Sequence, residues 1–189
     1  MERSGAVGAV PMEGDNDMDV DRGEFRRTMG LFATGVTVIT TRVDGEIHGM
    51  TANSVTSVSL DPLLVLVCVD NRAHMRGLIT VAGRFAVNIL SERQKRLSSH
   101  FAGRKSPDIE AVFADIAGTP TLPGSLASLV CAVDRVVDAG DHIVVFGRVD
   151  ALTRTGGDER PLIYYAGTYR ELAAGDGVYA GAHDLPYVF

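Results

Sequence analysis

The residues most able to do chemistry fall into two short blocks. Thr51-Ala52-Asn53-Ser54-Val55-Thr56-Ser57 places five small polar side chains within seven residues. Small side chains allow close backbone approach, and hydroxyls and amides offer neutral hydrogen bonds. A planar polar heterocycle or a phosphate needs such a surface. The plainer alternative is a solvated, Thr-rich strand face. In the second block, Gly140-Asp141-His142 opens the apolar run Ile143-Val144-Val145-Phe146. A histidine at the mouth of an apolar strand can meet a cleft with a titratable ring. Its alternative is a turn aspartate followed by an ordinary surface histidine.

Other chemistries lack their signatures. Gly175-Asp176-Gly177-Val178-Tyr179-Ala180 spells the dinucleotide pattern G-x-G-x-x-A. No strand immediately precedes it, and too little chain follows for the helix that the mechanism requires. There is no P-loop, no His-Glu-x-x-His and no Gly-x-Ser-x-Gly elbow. The histidines at 48, 74, 100, 142 and 183 are scattered, which argues against a metal site. Cys68 and Cys131 have neither metal-ligand spacing nor the density of a disulfide scaffold, and both read as small buried hydrophobes.

The elements that must position these residues read as mainly strand. Asp21 with Glu24 is a capping-box-like start, and Phe25, Met29, Phe32 and Ala33 share one helical face. The spacing predicts a first helix ending near Thr34-Gly35. Val36 to Thr41 is almost wholly β-branched, and Asp44-Gly45 marks a hairpin turn. Ile47 to Ser59 reads as one extended stretch broken by Leu60-Asp61-Pro62. Leu63–Val69 reads as a fully buried strand. A short helix over 72–82, a strand over 84–90 and a helix capped by Ser91 and Gln94, running to about Phe101, come next. Residues 103–125 read as loop. Strands over 129–138, 142–152 and 161–165 complete the pattern. Six or seven strands joined by short turns, with three helices, predict a closed or nearly closed antiparallel barrel.

Composition sets the outer bounds. The chain has 189 residues, enough for one domain that buries roughly 70% of its unfolded surface. Twenty-four acids against 18 bases give a net charge of −6, which argues against a nucleic-acid binder. Most of that excess lies in residues 1–22, where six acids face two bases. Residues 1–21 read as a disordered acidic tail, 22–175 as the folded domain and 176–189 as an irregular C-terminal segment. Beyond residues 1–22, the remaining 167 residues carry a net charge of only −2. No signal-peptide pattern or membrane span is expected, so the predicted location is the reducing cytoplasm.

Taken in order, the motifs resemble the short-chain flavin reductase family. The resemblance covers about residues 22–172. It rests on Phe25-Arg26, Ala33 to Thr40, Gly49 to Leu63, Gly83 to Leu90, Gly140-Asp141-His142, Pro161 to Tyr165 and Gly167-Thr168-Tyr169. It implies an antiparallel split β-barrel of the FMN-binding type with flanking helices. It also implies hydride transfer from NADH to a freely exchanging flavin, which a partner monooxygenase then uses. A flavoprotein oxidase or electron carrier with tightly held flavin, and a non-enzymatic flavin or tetrapyrrole binder, are the alternatives. By resemblance, Thr34, Gly35, Val36 and Thr37 and the segment Thr51, Ala52, Asn53, Ser54, Val55, Thr56 and Ser57 line the flavin. Cys68, Val69 and Asp70 flank it, and Phe101 closes the pocket near its tail. His142 contacts the nicotinamide nucleotide and Tyr169 stacks on it.

The sequence departs from the family where a Ser-Ser-Arg-Thr-like run would hold flavin phosphate. Arg72-Ala73-His74-Met75 stands there instead, with Arg72 or His74 as replacement contacts. FAD is the expected flavin, FMN the alternative, because Arg72 and the loop after Phe101 leave room for a diphosphate. A homodimer is a further family expectation. The arginine-rich, lysine-poor composition would suit an antibiotic-type secondary-metabolite pathway.

Overall fold

The computed structural model describes residues 20–105, 107–155 and 159–172. The acidic tail up to residue 19 and the Gly175–Ala180 motif lie outside them. The first helix, α1 (Arg22–Met29), starts as expected: the Asp21 carboxylate accepts from the Glu24 backbone N–H at 2.9 Å. It ends five residues before the predicted stop, at Gly30. The chain then turns, and β1 (Thr34–Gly35) pairs with a strand near the C-terminus. No residue of α1 is buried, and the apolar face read from its periodicity is more than half exposed at Phe25, Met29 and Phe32.

Seven strands form the main sheet. They are β2 (Thr37–Val43), β3 (Glu46–Ala52), β4 (Val55–Leu60), β5 (Leu63–Asp70), β6 (Arg84–Ile89), β9 (Ala127–Ala139) and β10 (His142–Arg154). Their order is β3-β2-β6-β9-β10-β5-β4, every pair antiparallel. The predicted stretch 47–59 is therefore two strands. β3 and β4 occupy opposite edges of the sheet, yet only Asn53 and Ser54 separate them in the chain. Among the described residues no ladder joins the two edges, so the sheet is antiparallel and mainly β without a shown closure.

Two smaller hairpins went unread in the sequence. β7 (Ala114–Ile116) and β8 (Thr119–Thr121) sit inside the predicted loop, and β11 (Ile163–Tyr165) pairs with β12 (Thr168–Arg170) and with β1. Ala117-Gly118 and Ala166-Gly167 make these turns with positive φ at both residues, as Asp44-Gly45 does between β2 and β3. Alanine carries no turn signal, which is why neither hairpin was read, although β11 falls within the strand expected over 161–165.

Burial also corrects the sequence reading. β5 alternates: Val65, Val67 and Val69 enter the core, while Leu64, Leu66 and Cys68 are half-buried. The strands buried on both faces are central β2 and β6. Their polar residues are satisfied. Asn88 donates to Val38 O (2.9 Å) and Thr40 Oγ1 (3.0 Å), and accepts from Leu122 N (2.9 Å) and Ser128 Oγ (2.8 Å). One core joins these strands to Met75 and Ile79 of α2 (Met75–Ala82). A second core, around Val36, Val38, Leu90, Leu122 and Leu162, lies beneath α3 (Lys95–Phe101) and the β11–β12 hairpin. Ser91 and Gln94 form the predicted capping box before α3, through a short 3-10 turn.

Candidate active site

Two cavities meet at the corner between β3 and β4. The larger, about 820 Å³, lies between the turn before β1, the corner itself and the open face of β5. The smaller, about 520 Å³, lies between the end of β3, α3 and the β11–β12 hairpin. Asn53 lines both. Its side-chain amide donates to Thr34 Oγ1 at 3.2 Å, which ties the corner to β1.

Most of the predicted residues gather here. Thr34, Gly35, Thr37, Asn53, Ser54, Val55, Thr56, Ser57 and Cys68 line the larger cavity. Val36, Thr51, Ala52, Asn53 and Tyr169 line the smaller. Strand alternation explains the division, since Val36 and Thr37 face opposite sides. The corner is bound to β5: Cys68 N donates to Ser54 O (3.1 Å), and Ser54 Oγ donates to Cys68 O (3.0 Å). Cys68 is thus a half-buried cavity wall rather than the core hydrophobe expected, while Cys131 is fully buried. Desolvation raises the thiol pKa of both, that of Cys131 to about 12.

Six predicted residues line neither cavity. Val69 follows Cys68 on a strand, so it points the other way and is fully buried. Asp70, Arg72 and His142 cluster where β5 ends and β10 begins, two residues beyond Cys68, with His142 paired with Asp70 across the ladder. Arg72 donates to Asp70 from its backbone (2.8 Å), Nε (3.1 Å) and Nη2 (2.7 Å), holding that carboxyl well below the usual range. His142 Nδ1 lies 2.7 Å from Asp141 Oδ1 and likewise lowers the Asp141 pKa. The His74 ring packs edge-on against His48 at 5.9 Å. The Phe101 ring fills the space above Gly49, where a Cβ would come within 2.5 Å of it.

The sequence reading missed the other wall of the smaller cavity. Lys95, Ser99 and Ala102 lie along one face of α3 at i, i+4 and i+7, followed by Arg104, opposite Tyr164, Gly167 and Thr168. That helical spacing was the available signal.

The larger cavity carries no charged side chain: the hydroxyls and amide of Thr34, Asn53, Ser54, Thr56 and Ser57 share its wall with apolar Met29, Phe32, Val65, Leu66 and Leu129. A cavity of this size accepts a ligand of cofactor dimensions. Among the described residues no group of three or more His, Cys, Asp or Glu is placed to hold a metal ion. The site therefore suits binding and orientation of a planar heterocycle, with small residues where a ring must come close.

The fold and this site define a flavin-handling β domain, and the comparisons agree. The flavin reductase like domain matches residues 29–173, and the chain belongs to that family. An NADH-dependent flavin reductase of a Rhodococcus species is 41% identical over 162 residues, spanning 84% of this chain and 91% of the relative. An NADH-dependent FAD reductase of Streptomyces globisporus is 40% identical over 161 residues, 81% of this chain and 87% of the relative. The solved structure of flavin reductase PheA2 in its native state superposes with a TM-score of 0.78 at 44% identity, covering 82% of this chain and 99% of that one.

Proposed function

We propose that this protein is an NADH-dependent flavin reductase that takes up oxidised flavin, reduces it and releases it to a separate monooxygenase. The junction of the two cavities at Asn53 carries the reading. A flavin ring in the larger cavity and a nicotinamide entering from the smaller would meet at one residue. The two cofactors supply the hydride chemistry between them. The chain contributes alignment: the β3–β4 corner fixes the amides and hydroxyls of 53–57, and the tie to Thr34 keeps Asn53 between the cavities. Backbone N–H groups of the corner would support charge gained on the ring.

Several relatives support the two-component arrangement. The reductase subunit of a flavin-dependent monooxygenase of Mycobacterium tuberculosis is 42% identical over 157 residues, 79% of this chain and 82% of the relative. In our reading FAD is the preferred flavin, with FMN as an alternative, and the sheet closes into a split barrel around the corner. His142 contacts the nicotinamide nucleotide from the end of β10. Two free cysteines suit a reducing cytoplasm. We also place a second copy of the chain over α1. Phe25, Met29, Leu31 and Phe32 are between half and three-quarters exposed, and Met29 and Phe32 also line the larger cavity, so a homodimer would roof it.

The test is NADH oxidation with and without added flavin. Flavin-dependent turnover is expected, together with loss of flavin on dialysis. Absence of flavin-dependent turnover would overturn the reading, and a colour retained through dialysis would favour the tightly bound alternative.

A further inference from the structure

We propose that Lys95 and Arg104 form a phosphate clamp in the smaller cavity, gripping a nucleotide that runs along the wall made by Tyr164 and Tyr169. This deepens the reductase reading and rests on it for the choice of nucleotides. The two cations are nine positions apart, yet the helix end brings them together. Gly103, at φ 89°, turns the chain back after α3, so that Gly103 N donates to His100 O (3.3 Å) and Arg104 N to Ser99 O (3.1 Å). Ser99 stands one turn beyond Lys95 on the same face, so Lys95, Ser99 and Arg104 line one wall.

The charge pattern separates these two cations from their neighbours. Arg93 pairs with Glu159 at 3.1 Å and Arg96 pairs with Asp108. Neither Lys95 nor Arg104 has an ion-pair partner among the described residues, and no described residue lining the cavity is acidic. Two unneutralised cations beside hydroxyls from Ser99, Thr168 and Thr51 make an anion site. The aromatic wall supplies the rest. Tyr164 and Tyr169 pack edge-to-face at 5.7 Å, and Lys95 Nζ sits 5.9 Å from the Tyr169 ring centre. Arg72, the replacement expected from the sequence, is held by Asp70 outside both cavities.

The phosphate has two sources, the flavin or the nicotinamide dinucleotide, and kinetics of the full-length chain separate them. Lys95→Gln, Arg104→Gln and the double variant are assayed with NADH and, in turn, riboflavin, FMN and FAD. If the clamp holds flavin phosphate, KM for FMN and FAD rises about tenfold per lost charge while that for riboflavin stays put. If it holds the dinucleotide, KM for NADH rises by that factor with all three flavins. All constants within twofold of wild type overturn the clamp. Binding of FMN and ADP, measured calorimetrically on the same variants, needs no turnover. Binding weakened in the variants of an enzyme that proves inactive would uphold the clamp while the reductase reading falls. Arg104→Lys should recover part of the loss, which a merely misfolded wall would not allow.

Discussion

The phenol oxygen of Tyr169 lies 2.8 Å from the hydroxyl of fully buried Ser98, joining the β11–β12 hairpin to α3. The same residue is gripped from the other side, because Thr51 Oγ1 donates to Ser98 O at 2.6 Å. Ser98 therefore fixes both walls of the smaller cavity against each other. Tyr169→Phe keeps the ring but strands the Ser98 hydroxyl. It should cost about 1–3 kcal/mol in urea unfolding and raise KM for the ligand of that cavity. Wild-type unfolding and unchanged KM values would show that the bond does not set the cavity.

Gly49→Ala tests how α3 is seated on β3. A Cβ there would meet the Phe101 ring at 2.5 Å, so the ring, or the end of α3 that carries it just before Arg104, must shift. Overpacking of this kind costs about 1–3 kcal/mol. Reduced thermal stability together with weaker nucleotide binding is expected; a thermal shift without a binding change would confine Phe101 to packing.

Asn88→Ala should be among the most damaging single changes outside the site. It leaves two buried acceptors and two buried donors without their partner. A loss of about 3 kcal/mol or more in denaturant unfolding is expected. A loss below about 1 kcal/mol would mean that the neighbours re-pair among themselves.

Ala117→Asn should stabilise the protein. Ala117 is exposed and holds φ 49°, a conformation that alanine resists and asparagine tolerates. The expected gain is about 0.5–1 kcal/mol, read as a higher melting temperature with unchanged kinetics.

Acid sensitivity should trace in part to Asp70. Its folded pKa lies below the unfolded value because Arg72 bonds the ionised form. The stabilisation is therefore complete above the ordinary carboxylate pKa and fades as pH falls below about 4. Asp70→Asn removes that component, so its melting temperature should fall less steeply than that of wild type between about pH 5 and pH 3. Parallel curves would remove Asp70 from the acid response.

How far the sequence could be read depended on local signals. Asp44-Gly45, the Ser91–Gln94 box and the β-branched run at 36–41 announce their structures because turn chemistry, capping and propensity act over a few residues. The larger cavity was legible because one of its walls is a contiguous stretch, 53–57, of the polar run. The smaller was not, since Lys95, Arg104 and Tyr164 meet only through the seating of α3 on two hairpins, one of them marked by alanine rather than asparagine. Of Cys68, Val69 and Asp70, expected to flank the flavin, Cys68 and Asp70 share one strand face while Val69 turns into the core, because adjacent strand residues face opposite sides.

The two-residue step from Ala52 to Val55 works as a length standard. It spans from one edge of the sheet to the other and sets how far apart the contents of the two cavities can lie. Side chains on a strand alternate, so a single inserted residue would do more than lengthen the corner. It would exchange inward and outward positions along β4, turning Thr56 and Ser57 about, or slip β4 by one place against β5. Substitutions elsewhere can adjust how tightly each ligand is held, whereas the spacing between the two ligands is written into the count of residues at this corner.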